Sequence, residues 1–174
     1  MRVPRGQNNK LYVGIDNGAS GTVSVLSAGG SVLLHEKTPT RSEQSYTKDA
    51  KNITRIVVPK LRQLLHPVSG ATYFVYLERP FVNPQMFKAS LSAIRALEAT
   101  LIAIEELQDE HGVDMRYSYI DSKEWQKVLL PAGLKGSDVL KKAAVDVARR
   151  LFPHVGSKDA DSLLIAEYGR RRGL

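Results

Sequence analysis

Four acidic residues stand where acids are unusual. Asp16 ends the apolar run of LYVGIDNGASG (residues 11–21), and Glu78 ends the aromatic, β-branched run YFVYLE (73–78). Asp159 and Asp161 open the segment DADSLLIAEYGRR (159–171), in which Leu163, Leu164 and Ile165 must pack. A carboxylate just beyond the C-terminal end of a strand sits at the sheet edge, where α/β proteins place ligands. If the strands ending before Asp16 and at Glu78 are neighbours, their carboxylates converge, and the start of the last helix brings a second pair. Converging carboxylates repel one another unless cations neutralise them. With no cysteine and only four histidines, the oxygen donors favour Mg²⁺ or Mn²⁺ over zinc. Two such ions about 4 Å apart activate a water and stabilise the leaving oxygen in phosphodiester hydrolysis. Each acid also has a plainer role. Asp16-Asn17-Gly18 makes a turn unaided, Glu78 suits an exposed strand end, and Asp159 and Asp161 suit the first turn of a helix, where the dipole favours acids. Their joint occurrence on one chain points to a metal centre.

The charge balance agrees with a phosphate substrate. Lysine and arginine number 25 against 18 acids, a formal net charge of +7, which suits a polyanionic partner such as nucleic acid. A positive surface holding the backbone while acids hold metal is the combination a nuclease needs. The 174 residues, 43% hydrophobic and 25% charged, fit one globular domain with a real core. No apolar run reaches roughly 18 residues, so no membrane span is expected. Residues 1–10, MRVPRGQNNK, read as a flexible basic arm without the apolar stretch of a signal peptide. The absence of cysteine fits a reducing, cytoplasmic compartment.

The elements that must position the acids follow from periodicity. Residues 11–15 read as a buried strand; 21–26 and 32–35 alternate around the Ala28-Gly29-Gly30 turn, predicting three antiparallel strands in succession. Residues 38–50 are polar and read as a loop. Helical spacing of Ile53, Ile56, Val57, Leu61, Leu64 and Leu65 predicts a helix over 52–65, kinked or split at Pro59. Residues 73–77 are a strand, 86–107 a long helix closed by Gly112, and 116–120 another strand. Asp121 or Ser122 caps a short helix carrying Trp125. A basic loop, PAGLKG (131–136), precedes a helix to about 151, stopped by Pro153, and a last helix runs from about 159 to 172. The sheet therefore begins antiparallel and continues by crossovers.

VGIDNGASG, VYLERPF, LIAIEEL, the basic KG loop and DADSLLIAEYGRR together resemble the RuvC-like Holliday junction resolvases, in particular their phage and chloroplast branch. The likeness covers roughly residues 11–172. Its last stretch, with WQKVL and ARRLFP before it, is the most specific part, and the opening IDxG the least. The resemblance implies an α/β, RNase H-like fold: a mixed five-stranded sheet, three antiparallel strands first, flanked by helices, over residues 11–174. It implies a homodimer that cuts four-way DNA junctions by paired, two-metal-ion hydrolysis, in the cytoplasm of a bacterium or a phage-infected host, with an organelle left open. Asp16, Glu78 and Asp161 match the family's catalytic and metal-binding acids. Phe81, three residues after Glu78, matches an aromatic that stacks on junction bases; its other reading is a core residue under the next helix. The helix over 86–107 matches the dimerisation segment. Lys135, Lys141 and Lys142 match basic phosphate contacts; the plainer reading is a solvated face.

One departure stands out. Related chains carry a longer spacer between the last two acids, of the type KDHGRADA, where this one has only Ala160 between Asp159 and Asp161. Positions i and i+2 of a helix point roughly 200° apart. Either Asp159 lies outside the helix, as N-cap, and reaches in, or it is not a ligand and water or His154 completes the site. Asp161 ranks ahead of Asp159 on this ground. Three rivals remain. A non-catalytic RNase H-like DNA binder is compatible with the shortened segment, and the same fold carries RNA nucleases. The D-x-G-x-x-G-T pattern also resembles the phosphate loop of sugar kinases and actin-like ATPases, which need a second lobe this chain is too short to hold.

Overall fold

The computed structural model describes residues 10–45, 48, 52–66, 68, 70–155 and 159–173. The expected basic arm lies outside these residues except for Lys10, which is the first residue of a strand. A five-stranded sheet is built from β1 (Lys10–Ile15), β2 (Thr22–Ser27), β3 (Val32–Lys37), β6 (Thr72–Glu78) and β7 (Met115–Ile120), in the order β3-β2-β1-β6-β7. The first three strands are antiparallel; β6 runs parallel to β1, and β7 parallel to β6. This is the mixed sheet read from the sequence.

Side-chain alternation divides the core between the two faces of the sheet. Odd-numbered Leu11, Val13, Ile15, Tyr73, Val75 and Leu77 pack with Leu61, Leu65, Ala103, Ile104 and Leu107. Those partners belong to α1 (Val58–Leu64), Leu65 just past its end, and α2 (Phe87–His111). Even-numbered Tyr12 and Tyr76 face the other way, onto Trp125, Ala144, Ala148 and Leu163–Ala166. These lie on α3 (Ser122–Leu129), α4 (Ser137–Leu151) and α5 (Asp161–Arg172). The same parity continues past the strand ends, so Asp16 and Glu78, both even, fall on the α5 face.

Residues 40–44 and 52–56 differ from the expectation. β4 (Thr40–Gln44) and β5 (Asn52–Ile56) pair antiparallel as a separate two-stranded sheet, where the sequence predicted loop for the first and helix for the second. Ile53, Thr54, Ile56 and Val57 are β-branched, and their preference for extended backbone prevails over a helical spacing they also satisfy. Pro59 does not kink a helix but opens one: it lies in the first turn of α1, where its missing N–H leaves no bond unmade. Among the described residues no helix is long and apolar enough to cross a membrane.

Candidate metal centre

Register brings the first two acids together. Ile15 pairs with Leu77 across the parallel β1–β6 ladder, so Asp16 and Glu78 are the next pair along adjacent strands. The turn after β1 is tied by the Asp16 amide donating to the Thr22 carbonyl at 3.1 Å, Gly18 N–H to Asp16 O at 3.1 Å and Gly21 N–H to Gly18 O at 3.1 Å. A Cβ on Gly21 would overlap the Asp16 carbonyl oxygen, so only glycine lets the chain return this closely.

α5 supplies the second pair through another close approach. Its residues Ser162 to Gly169 are all buried. A Cβ on Gly14 would overlap the Ser162 carbonyl oxygen and crowd the Ala166 amide, and a Cβ on Gly169 would overlap the Tyr76 ring. Two glycines, one on β1 and one on α5, thus set the helix directly on the strands whose ends carry Asp16 and Glu78. The helix begins at Asp161 with Ala160 as N-cap. Asp159 therefore lies outside the helix, one residue before the cap, and the 200° problem does not arise. Carboxylate oxygens of Asp16, Asp159 and Asp161 lie within 4.8 Å of one another. Glu78 stands outside that three-residue group but beside it: its side chain is a hydrogen-bond partner of Asp16 and its charge presses on Asp161.

The electrostatics record this crowding. Burial, then the charges of Glu78, Asp159 and Asp161, push the Asp16 carboxyl up to about 8. Burial, Glu78 and Asp159 raise Asp161 to about 6, with Lys141 opposing. A carboxyl raised by burial and by neighbouring negative charge is one that a bound cation would relieve. The donor set is all oxygen, half-buried and closely spaced, which fits a hard divalent ion.

Several other expected residues take definite places. Lys141, on α4, lines the cleft over the acids with Asp16, Ser20, Val145, Asp159, Ala160 and Asp161. Lys135 and Lys142 are exposed and do not line that cleft. Phe81 is 78% exposed, in the segment between β6 and α2, so it is not a core residue beneath the helix. His154 is exposed beyond α4 and stands outside the acidic group.

Two features of the site were missed in the sequence. The Trp125 indole, 1% exposed, donates to Glu78 Oε1 at 3.3 Å; the Asp121–Glu124 capping box that starts its helix was legible, but its target was not. Beside the acids runs a chain of buried hydroxyls from Thr22 through Ser162 and Ser24 to His35. The alternation of Thr22 and Ser24 with Val23 and Val25 was its one visible sign. His35 has its pKa lowered, chiefly by burial, although the charge and main chain of Asp159 counteract this.

No family model matches the chain, and no curated protein matches it. Among solved structures it is similar to "T. thermophilus RuvC in complex with Holliday junction substrate", at 21% identity over 94% of this chain and 96% of that one, with a TM-score of 0.60. A second is the "Thermus thermophilus RuvC structure", 17% identical over the same shares, with a TM-score of 0.49. At such identity the likeness speaks to the fold. The chain has the RNase H-like fold of RuvC, as the sequence resemblance implied.

Proposed function

We propose that this protein is a metal-dependent endonuclease that resolves four-way DNA junctions, residues 11–174 forming its nuclease domain. The observation that carries the reading is the meeting of Asp16, Asp159 and Asp161 at one sheet edge, with Glu78 next to Asp16, on a chain of net charge +7 with the RuvC fold. These four residues would hold Mg²⁺ or Mn²⁺. A pair of such ions supplies an activated water and a stabilised leaving oxygen for phosphodiester hydrolysis.

The chain's own groups divide the remaining work. Trp125 holds Glu78 by its indole N–H. Lys141, facing the acids across the cleft, is placed to take a phosphate oxygen of the strand to be cut. Lys135 and Lys142 extend the basic contacts beyond it. The solvent-facing ring of Phe81 offers a stacking surface for bases unpaired at a branch point. Two cuts need two sites, and the exposed apolar residues Ile94 and Ile102 on α2 offer a surface for a second copy of the chain. The T. thermophilus RuvC structure of similar fold is a complex with a Holliday junction substrate, which supports branched DNA as the substrate here.

The reading is tested by incubating the protein with a synthetic four-way junction, a linear duplex and an RNA hairpin, each with Mn²⁺ or Mg²⁺. Paired nicks in the junction, with Glu78→Gln inactive yet still binding it, are expected. Junction binding without nicks would favour a non-catalytic binder, and preferential cutting of the hairpin an RNA nuclease.

A further inference from the structure

The position of Asp159 needs an explanation that α5 does not give. The helix begins two residues later, and its ladder starts with the Leu164 amide donating to the Ala160 carbonyl at 3.1 Å. Asp159 is therefore outside every helical bond, yet its carboxylate lies among the other acids. Across from it stands His35, on β3, paired in register with Ser24 on β2.

The His35 ring has two hydrogen-bond partners. Ser24 Oγ lies 2.8 Å from His35 Nδ1, and the ring also hydrogen-bonds the main chain of Asp159. Behind Ser24, Ser162 Oγ lies 2.6 Å from Ser24 Oγ and 2.7 Å from Thr22 Oγ1. Ser24 and Ser162 are fully buried, and Thr22 is 3% exposed. Proton directions follow from the network, since a neutral imidazole has one donor and one acceptor. If Nε2–H donates to the Asp159 carbonyl, Nδ1 must accept from Ser24. Ser24 then accepts from Ser162, and Ser162 from Thr22. Every hydroxyl donates once along this line, and each of these three buried hydroxyls has a partner.

We propose that His35 is a positioning residue: backed by Thr22, Ser162 and Ser24, it holds the Asp159 main chain so that the Asp159 carboxylate completes the metal centre from outside the helix. The chain of bonds replaces what a longer spacer and a helical position would otherwise supply. The inference rests on the metal-centre reading above.

Two substitutions separate the two bonds of the ring. The amide of His35→Gln reaches about as far as Nε2 and keeps a donor for Asp159. The amide of His35→Asn stops near Nδ1, keeping the Ser24 bond and losing Asp159. Mn²⁺ affinity, read by titration calorimetry on the full chain without DNA, is expected to fall about tenfold in His35→Asn and by less than about threefold in His35→Gln, the lower end of what losing a ligand's supporting bond costs. In an Asp159→Asn background, adding His35→Asn is expected to change the remaining affinity by less than about twofold, because the group it positions is gone. Wild-type affinity in His35→Asn, equal losses in Asn and Gln, or a loss undiminished in the Asp159→Asn background would each overturn the positioning role. A wild-type chain that binds no Mn²⁺ would overturn the metal-centre reading and this inference with it.

Discussion

Asp16 shows most directly what the acids contribute and what they cost. With no cation present its carboxyl is pushed up to about 8 by burial and by its three acidic neighbours. A raised acid is retained as the proton-bound form in the folded chain while the unfolded chain ionises near 3.8. Stability is therefore lost as pH rises from about 4 towards 8. Asp16→Asn keeps the shape and the hydrogen-bond donor but removes this penalty. In EDTA at pH 7.5 its Tm should exceed that of wild type by several degrees, at about 2–4 °C per kcal/mol for a chain of this size. At pH 4 the gap should close. Added Mn²⁺ should reverse the order, raising wild type and leaving Asp16→Asn unmoved. Thermal melts in EDTA and in Mn²⁺ decide this; equal melting at pH 7.5 in EDTA would mean that the acids are not crowded.

Secondary elements carry the same logic through α5, whose far end is as constrained as its near end. Glu167, 3% exposed, accepts from Arg170 Nε at 2.7 Å and Nη2 at 2.9 Å and from Arg171 Nε at 2.7 Å. Burial alone would raise its pKa, but the two guanidinium groups outweigh it and the net shift is downward. A depressed acid stabilises the fold above its ordinary value of 4.5 and loses that contribution as pH falls through the folded value. Glu167→Gln should therefore lower unfolding free energy by roughly 1–3 kcal/mol at pH 7, with the difference shrinking below about pH 4. Urea titrations at both pH values read it; a constant difference would contradict the assignment.

The elements also show what a sequence can and cannot reveal. Apolar runs that stop on an acid exposed β1 and β6 because strand burial and carboxylate solvation leave opposite compositional marks. Leu163-Leu164-Ile165 revealed α5 because a helix apolar over adjacent positions has to be buried. The β4–β5 hairpin was hidden because Ile53 and Ile56 satisfy two periods at once, and only pairing with Thr40–Gln44 chooses between them. The place of Asp159 stayed open between two alternatives because it depends on where the backbone enters the helix, and the structure puts the N-cap at Ala160 rather than at Asp159. The hydroxyl chain to His35 joins residues 140 and 138 positions apart, a separation over which local pattern carries no information.

Taken as a whole, the molecule combines a net charge of +7 with acids gathered at one sheet edge. On the proposed reading, DNA affinity comes from lysines and arginines elsewhere, because acids repel phosphate, and cleavage comes from the acids. Junction affinity should then fall steeply with salt, by roughly 10³-fold or more between 50 and 200 mM if six or more phosphates are contacted. Glu78→Gln should follow the same slope, because that acid makes no phosphate contact. A salt-independent affinity in filter-binding or fluorescence titrations would place recognition on some other surface.

The most direct measurement is an anomalous-scattering map of crystals soaked in Mn²⁺. Peaks bounded by the carboxylates of Asp16, Glu78, Asp159 and Asp161 are the expected result, with two ions about 4 Å apart if hydrolysis uses a pair. Crystals in which these four side chains bind no ion, or in which Mn²⁺ settles elsewhere on the chain, would contradict it.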